Sequence, residues 1–148
     1  MMTQRDEQLH GFSLTRTLPA EPREVFSYFT DAEKFARWFV VPGYLTPASR
    51  LSLDPRPGGR IEGVMVSAAD ESEIPFELRY GTIDPPTAVG FVFPNPADNV
   101  TMTLVDLAEG RTNLTYRNEG SPPEARAEAV AGVVIMLDAI ESSLSESR

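Results

Sequence analysis

Few side chains in this chain have the type and spacing that chemistry requires. It contains no cysteine, which excludes thiolate nucleophiles, disulfides and cysteine metal sites. The one histidine, His10, has no second histidine or cysteine with which to hold zinc. A histidine triad would need the N-terminal segment to fold into a pocket. Glu62, Glu73, Glu77 and Asp84 stand in or beside strand-like segments. Paired carboxylates can do acid–base work when one is buried with a raised pKa. Glu73 and Glu77, however, oppose the parity of Phe76 and Tyr80, and Glu62 opposes that of Ile61 and Met65, so all three are expected in solvent. Gly58-Gly59 lacks the lysine and the following helix of a phosphate loop and reads as a tight turn. No catalytic residue, cofactor or metal ligand is expected.

What remains is binding chemistry. Trp38, Phe39, Met65, Phe76, Leu78 and Tyr80 form one half of an aromatic, aliphatic and methionine set. Phe91, Phe93, Met102, Tyr116, Val133, Met136 and Ile140 form the other. In most proteins such residues are core. They can also line a cavity of a few hundred Å³, on the order of an ordinary ligand pocket, and methionines suit an adaptable lining. Tyr80 and Tyr116 offer hydroxyls that could orient a ligand, while parity places Arg79 and Arg117 outside. Trp38 and Phe39 are expected at the mouth of the pocket, with Val133, Met136 and Ile140 as its floor.

The elements that must position this set follow from periodicity. Phe12, Leu14 and Leu18 alternate with Ser13, Thr15 and Thr17 as a half-buried strand. Arg16 shares the apolar parity, with its stem packed and its head at the sheet edge. Pro22 opens a helix that places Val25, Phe26 and Phe29 on one side. Thr30-Asp31-Ala32-Glu33 fits a capping box for a second short helix, on which Phe35, Trp38 and Phe39 share a face; Pro42-Gly43 ends it. From Arg50 to Glu119 the chain reads as strands and turns. Ile74, Phe76, Leu78 and Tyr80 alternate with polar partners, and Pro75 among them requires an edge or an end. Val100, Met102 and Leu104 form a strand that Ala108-Glu109-Gly110 turns back into Leu114 and Tyr116. Ser121-Pro122-Pro123-Glu124 then combines a capping box with early prolines. Ala125, Ala129, Val133, Met136, Ile140 and Leu144 follow at helical spacing, a stripe of about six turns. The class is α+β: an antiparallel meander and a long C-terminal helix.

Composition sets the outer limits. The chain has 148 residues, 41% hydrophobic and 24% charged, which fits one globular domain, expected over 11–146 behind a loose tail, 1–10. Net charge is −9, and Lys34 is the one lysine among 13 basic residues. Such a surface repels phosphate backbones and anionic membranes, so neither nucleic acid nor membrane is an expected partner. Met1 to His10 carries no apolar signal region, and no run approaches the ~20 apolar residues of a span; a cytoplasmic location is expected.

The order of these motifs is itself informative. Arg16-Thr17-Leu18-Pro19-Ala20 leads to Val25-Phe26, and Thr30-Asp31-Ala32-Glu33 leads to Trp38. Asp54-Pro55-Arg56-Pro57-Gly58-Gly59, Gly81-Thr82-Ile83-Asp84-Pro85-Pro86, and Gly132 to Leu144 with its Leu137-Asp138 step complete the series. In this order, over about Gly11 to Leu144, the chain resembles the START-like (SRPBCC) superfamily. Within it, the chain is similar to the family related to the C-terminal domain of the heat-shock-protein-ninety ATPase activator. The resemblance implies a helix-grip fold, as in birch-allergen-like proteins: a seven-stranded antiparallel sheet around the C-terminal helix, two short helices after the first strand, and a pocket between sheet and helix. Where that family often has tryptophan after the glycine of the last helix, this chain has Val133, which implies a less aromatic, roomier pocket. Three functions are compatible with the resemblance. The first is binding of a small hydrophobic or amphipathic molecule, such as a lipid, polyketide or aromatic metabolite. The second is polyketide cyclase or dehydratase chemistry, by fold analogy, which needs an inward-facing acid or base. The third is a chaperone-associated protein–protein module. A homodimer through a sheet edge or the short helices is compatible with all three.

Overall fold

The alternating segments pair into one antiparallel sheet in the computed structural model, which describes residues 11–39, 41–94 and 99–146. The elements are β1 (Phe12–Leu18), α1 (Pro22–Ser27), α2 (Ala32–Trp38), β2 (Tyr44–Leu45), β3 (Ser52–Leu53), β4 (Arg60–Ser67), β5 (Glu73–Asp84), β6 (Ala88–Val92), β7 (Asn99–Ala108), β8 (Arg111–Glu119) and α3 (Arg126–Glu146). The proposed tail, 1–10, and His10 within it lie outside the described residues.

The strand order is β1-β8-β7-β6-β5-β4-β2, and β3 also pairs with β4. Eight strands thus stand where seven were expected. The extra one is small: β2 pairs with the Val66–Ser67 end of β4 and β3 with Ile61–Glu62, so two dipeptides line one edge of β4. Neighbouring strands run antiparallel throughout. The chain reaches the far edge only by carrying β1 across to pair with β8, Leu14 opposite Tyr116.

Parity survives into the structure. Val100, Met102 and Leu104 on β7 are buried, as is Leu114 on β8, with Met102 opposite Tyr116 and Leu104 opposite Leu114. On β5 burial increases along the strand: Ile74 is exposed, Phe76 half-buried, and Leu78 and Tyr80 buried. The gradient arises because β6 pairs only with the Arg79–Asp84 half of β5. Pro75 sits on the overhanging half and faces no ladder donor requirement on that side, as a strand proline must. A bulge between Tyr80 and Ile83 bends β5, and bulges of this kind curve sheets. Gly90 lies opposite it; a Cβ there would come within 2.9 Å of the Thr82 backbone nitrogen. Glu62, Glu73, Glu77, Arg79 and Arg117 are all exposed.

Two helix starts differ from expectation. The cap of α2 is Asp31, not Thr30: its carboxylate accepts from the Lys34 N–H at 3.1 Å. Ser121 does not cap α3. Its backbone N–H donates to Asn118 Oδ1 at 3.1 Å, Pro123–Ala125 forms one 3₁₀ turn, and the α-helix begins at Arg126. Of the two N–H groups a serine cap would bind, the one at Pro123 is missing. The apolar stripe also shifts. Val133, Leu137, Ile140 and Leu144 are the buried positions of α3, while Val134 and Ile135 are exposed. Leu137, absent from the expected stripe, lies between Val133 and Ile140 at the same helical spacing.

The helix is held unevenly. It packs against α2 and β1, and its C-terminal half carries side-chain ties to both. There, Arg16 reaches Asp138 at 2.8 Å and Glu141 at 2.9 Å, and Ser143 meets the Tyr28 hydroxyl at 2.7 Å. At the other end Arg126 Nε donates to the Gly11 carbonyl at 3.3 Å, and Val133 is the first residue of α3 to be buried. No helix among the described residues is long and apolar enough to cross a membrane.

Candidate functional site: a cleft under the N-terminal half of the last helix

Loose seating at one end leaves a gap between sheet and helix. A cleft of about 470 Å³ opens there, bounded by Phe12 on β1, Phe93 after β6, Val100 on β7 and Tyr116 on β8. The helix contributes Ala129, Gly132, Val133 and Met136. Phe12 and Tyr116 stack at 6.0 Å between ring centroids with planes 20° apart, giving one wall a flat aromatic surface. At Gly132 a Cβ would meet nothing within 4 Å, so the absent side chain leaves room beside the helix.

One end of the cleft is polar. Asn118 and Ser121 line it and are themselves 8% and 4% exposed. Asn118 spends its side-chain oxygen on the Ser121 N–H, and the Gly11 N–H donates to the Ser121 carbonyl at 2.7 Å. These bonds sew the start of β1 to the turn before α3 and close that end. Gly11 must be glycine: its φ is +81°, and a Cβ would overlap the Asn118 carbonyl. Glu128, exposed, also belongs to the lining.

Deeper in lies a second, nearly filled space of about 40 Å³, enclosed by Phe35, Trp38, Phe39, Leu78, Phe91 and Met102. It meets the cleft at Phe93, Val100, Tyr116 and Met136, which line both. Its volume is on the order of one water molecule's share of liquid.

The expected site residues therefore divide three ways. Phe93, Tyr116, Val133 and Met136 come together in the open cleft. Leu78, Phe91, Met102, Trp38 and Phe39 surround the inner space. Met65, Phe76, Tyr80 and Ile140 line neither. Trp38 and Phe39 do not stand at a mouth. They are 5% and 8% exposed and are locked among aromatic rings, with Phe35 4.9 Å from Trp38 and 5.0 Å from Phe39. The Trp38 indole N–H donates to the Tyr28 carbonyl at 2.6 Å, so α2 presses its aromatic face into the core. The Tyr80 hydroxyl is likewise engaged, donating to the Phe29 carbonyl at 2.6 Å. Burial, and to a lesser degree the nearby Asp54 carboxylate, pushes its phenol well above the ordinary tyrosine range. Phe76 stacks on Phe39 at 5.1 Å, and Ile140 is sealed beneath the anchored half of α3.

Sequence reasoning missed Phe12, Asn118, Ser121, Glu128 and Gly132. Phe12 and Asn118 share the inward parity of their strands, which is a usable signal. The other three become visible only once the cleft is known to lie at the start of α3 rather than at α2. Among the described residues no three of His, Cys, Asp and Glu gather where they could hold a metal ion.

Comparison with known proteins settles the lineage. The family model described as Activator of Hsp90 ATPase homolog 1-like protein matches residues 19–145. The chain belongs to that family. The matched span takes in α1, the whole sheet after β1, and all but the last residue of α3. No curated protein matches the chain. Among solved structures it is similar to a protein from Nitrosomonas europaea, with TM-score 0.80 and 18% identity over 95% of this chain and 97% of that one. A protein from Chromobacterium violaceum gives TM-score 0.76 and 24% identity over 89% and 95%. An AHSA1-like protein from Aeromonas hydrophila gives 0.76 and 18% over 92% and 94%. At these identities the likeness is one of fold. It supports the helix-grip architecture of sheet around C-terminal helix.

Proposed function

We propose that this protein binds a small hydrophobic or amphipathic molecule, of lipid, polyketide or aromatic-metabolite type, in the cleft between the sheet and the N-terminal half of α3, as one domain acting in the cytoplasm. The observation that carries this reading is the cleft itself. Its volume of about 470 Å³ falls within the ordinary range for ligand sites, about 300–1,000 Å³. Its walls are aromatic and aliphatic, and one end is polar, the division an amphipathic molecule needs. The test is a nuclear magnetic resonance titration with dodecanol below its aggregation concentration. The expected result is saturable shift changes at Tyr116, Val133 and Met136 with none at Leu144. An unchanged spectrum, together with no binding of an apolar fluorescent dye, overturns it.

A chaperone-associated role is the second reading, favoured by the exposed Val134 and Ile135 on the outer side of α3, 36% and 43% accessible. Adjacent exposed apolar side chains suit a protein contact. Under this reading Ile135→Glu abolishes co-sedimentation with a purified chaperone ATPase and leaves dodecanol binding intact.

A further inference from the structure

The charge arrangement around the cleft deepens the reading just given, and rests on it. Among the described residues that line it, Glu128 is the one charged side chain. No lysine or arginine joins it. Arg126, two residues earlier, turns its Nε to the Gly11 carbonyl and is absent from the lining. Arg117 points to the other face of the sheet and pairs with Glu119 at 3.3 Å. In the turn before α3, Pro122 and Pro123 carry no N–H, and the Ala125 and Arg126 N–H groups donate to the Pro122 and Pro123 carbonyls. An anionic head in the cleft would face the like charge of the Glu128 carboxylate, with no cationic side chain in the lining to offset it. A positively charged head would find the Glu128 carboxylate in the lining. It would also find the stacked rings of Phe12 and Tyr116, whose faces attract cations. The net charge of −9 acts in the same direction at longer range.

From this juxtaposition of Glu128, the Phe12–Tyr116 stack and the apolar floor of Val133 and Met136, we propose that the ligand is a cationic amphiphile: a single amine-type head beside Glu128, with an alkyl or aryl body running toward Met136.

Three probes with one chain length separate the possibilities: dodecylamine, dodecanol and dodecanoate, each titrated into the full chain by calorimetry below its aggregation concentration. Glu128 is exposed, so its contribution is that of a solvent-screened pair, about three- to fivefold in Kd. The expected order is amine tightest, alcohol about three- to fivefold weaker, and carboxylate weaker again. Glu128→Gln removes the amine's advantage over the alcohol, read as the ratio of the two Kd values within the variant, and high salt narrows the same gap in the native chain. Dodecanoate binding as tightly as dodecylamine, or an amine-to-alcohol ratio unchanged in Glu128→Gln, overturns the proposal and leaves the cleft reading standing. Failure of all three probes to bind overturns both.

Discussion

Arg16 on the first strand and Asp138 on the last helix, 122 residues apart, meet at 2.8 Å, and the same guanidinium nitrogen reaches Glu141 at 2.9 Å. One side chain on the sheet edge thus holds two turns of α3. It lies in the C-terminal half of the helix, and neither Asp138 nor Glu141 lines the cleft. Burial, the largest single effect, lowers the Arg16 guanidinium, but hydrogen bonds to both carboxylates and their charges together raise it above its already high ordinary range. Asp138 is 64% and Glu141 44% accessible, so solvent screens much of the attraction.

Arg16→Met keeps the packed stem and removes the charge. The expected loss is about 0.5–1 kcal/mol, the range of screened pairs, measured by urea denaturation. Asp138→Asn in the Arg16→Met background should cost nothing further. A full additive loss in the double variant would mean the two groups act independently.

Tyr80→Phe leaves the Phe29 carbonyl without its donor in a buried setting. The expected cost is about 1–3 kcal/mol. The pH dependence follows from the raised phenol. A pKa higher in the folded than in the unfolded chain gives stability that is complete below the unfolded value, about 10, and is lost as pH rises beyond it. In an ultraviolet absorbance titration Tyr80 should therefore ionise only as the protein unfolds. Tyr80→Phe should remove that late step. A titration of the native chain that Tyr80→Phe leaves unchanged at its late end would contradict the buried hydrogen bond.

Gly132→Ala should stabilise the protein by up to about 1 kcal/mol, because glycine inside a helix is costly and the added methyl meets open space. Gly132→Leu should place its branch in the cleft, keep the melting temperature near that of the native chain, and weaken dodecanol binding at least tenfold. Unaltered binding in the leucine variant would put the ligand elsewhere.

Trp38 reports on the inner space. As the one tryptophan, buried and hydrogen-bonded to the Tyr28 carbonyl, it should fluoresce at short wavelength and resist quenching by iodide. Occupation of the outer cleft should change its emission little, since the tryptophan lines only the inner space. Trp38→Ala should cost about 3–5 kcal/mol as a core truncation. Strong iodide quenching in the native protein would return Trp38 to the mouth.

Sequence by itself determined the elements and their inward faces. Alternation in β1, β5, β7 and β8 placed Leu18, Leu78, Met102 and Leu114 in the core, and Pro22 marked the start of α1. Period-two and period-3.6 patterns are local, so they are legible without knowing what packs against what. The family likeness added the grip of sheet on helix. Tertiary structure alone decided where that grip is loose. Trp38 looks like a gate in sequence because it is large and shares a face with Phe39; it becomes core because α2 is pressed onto the sheet. Gly132, Ser121 and Glu128 look unremarkable until the sheet edge and the proline turn converge on them. The physical reason is that a cavity is a property of the space between elements, set by how Arg16, Leu137 and Leu144 seat one end of α3, and no periodicity within a single segment encodes that distance.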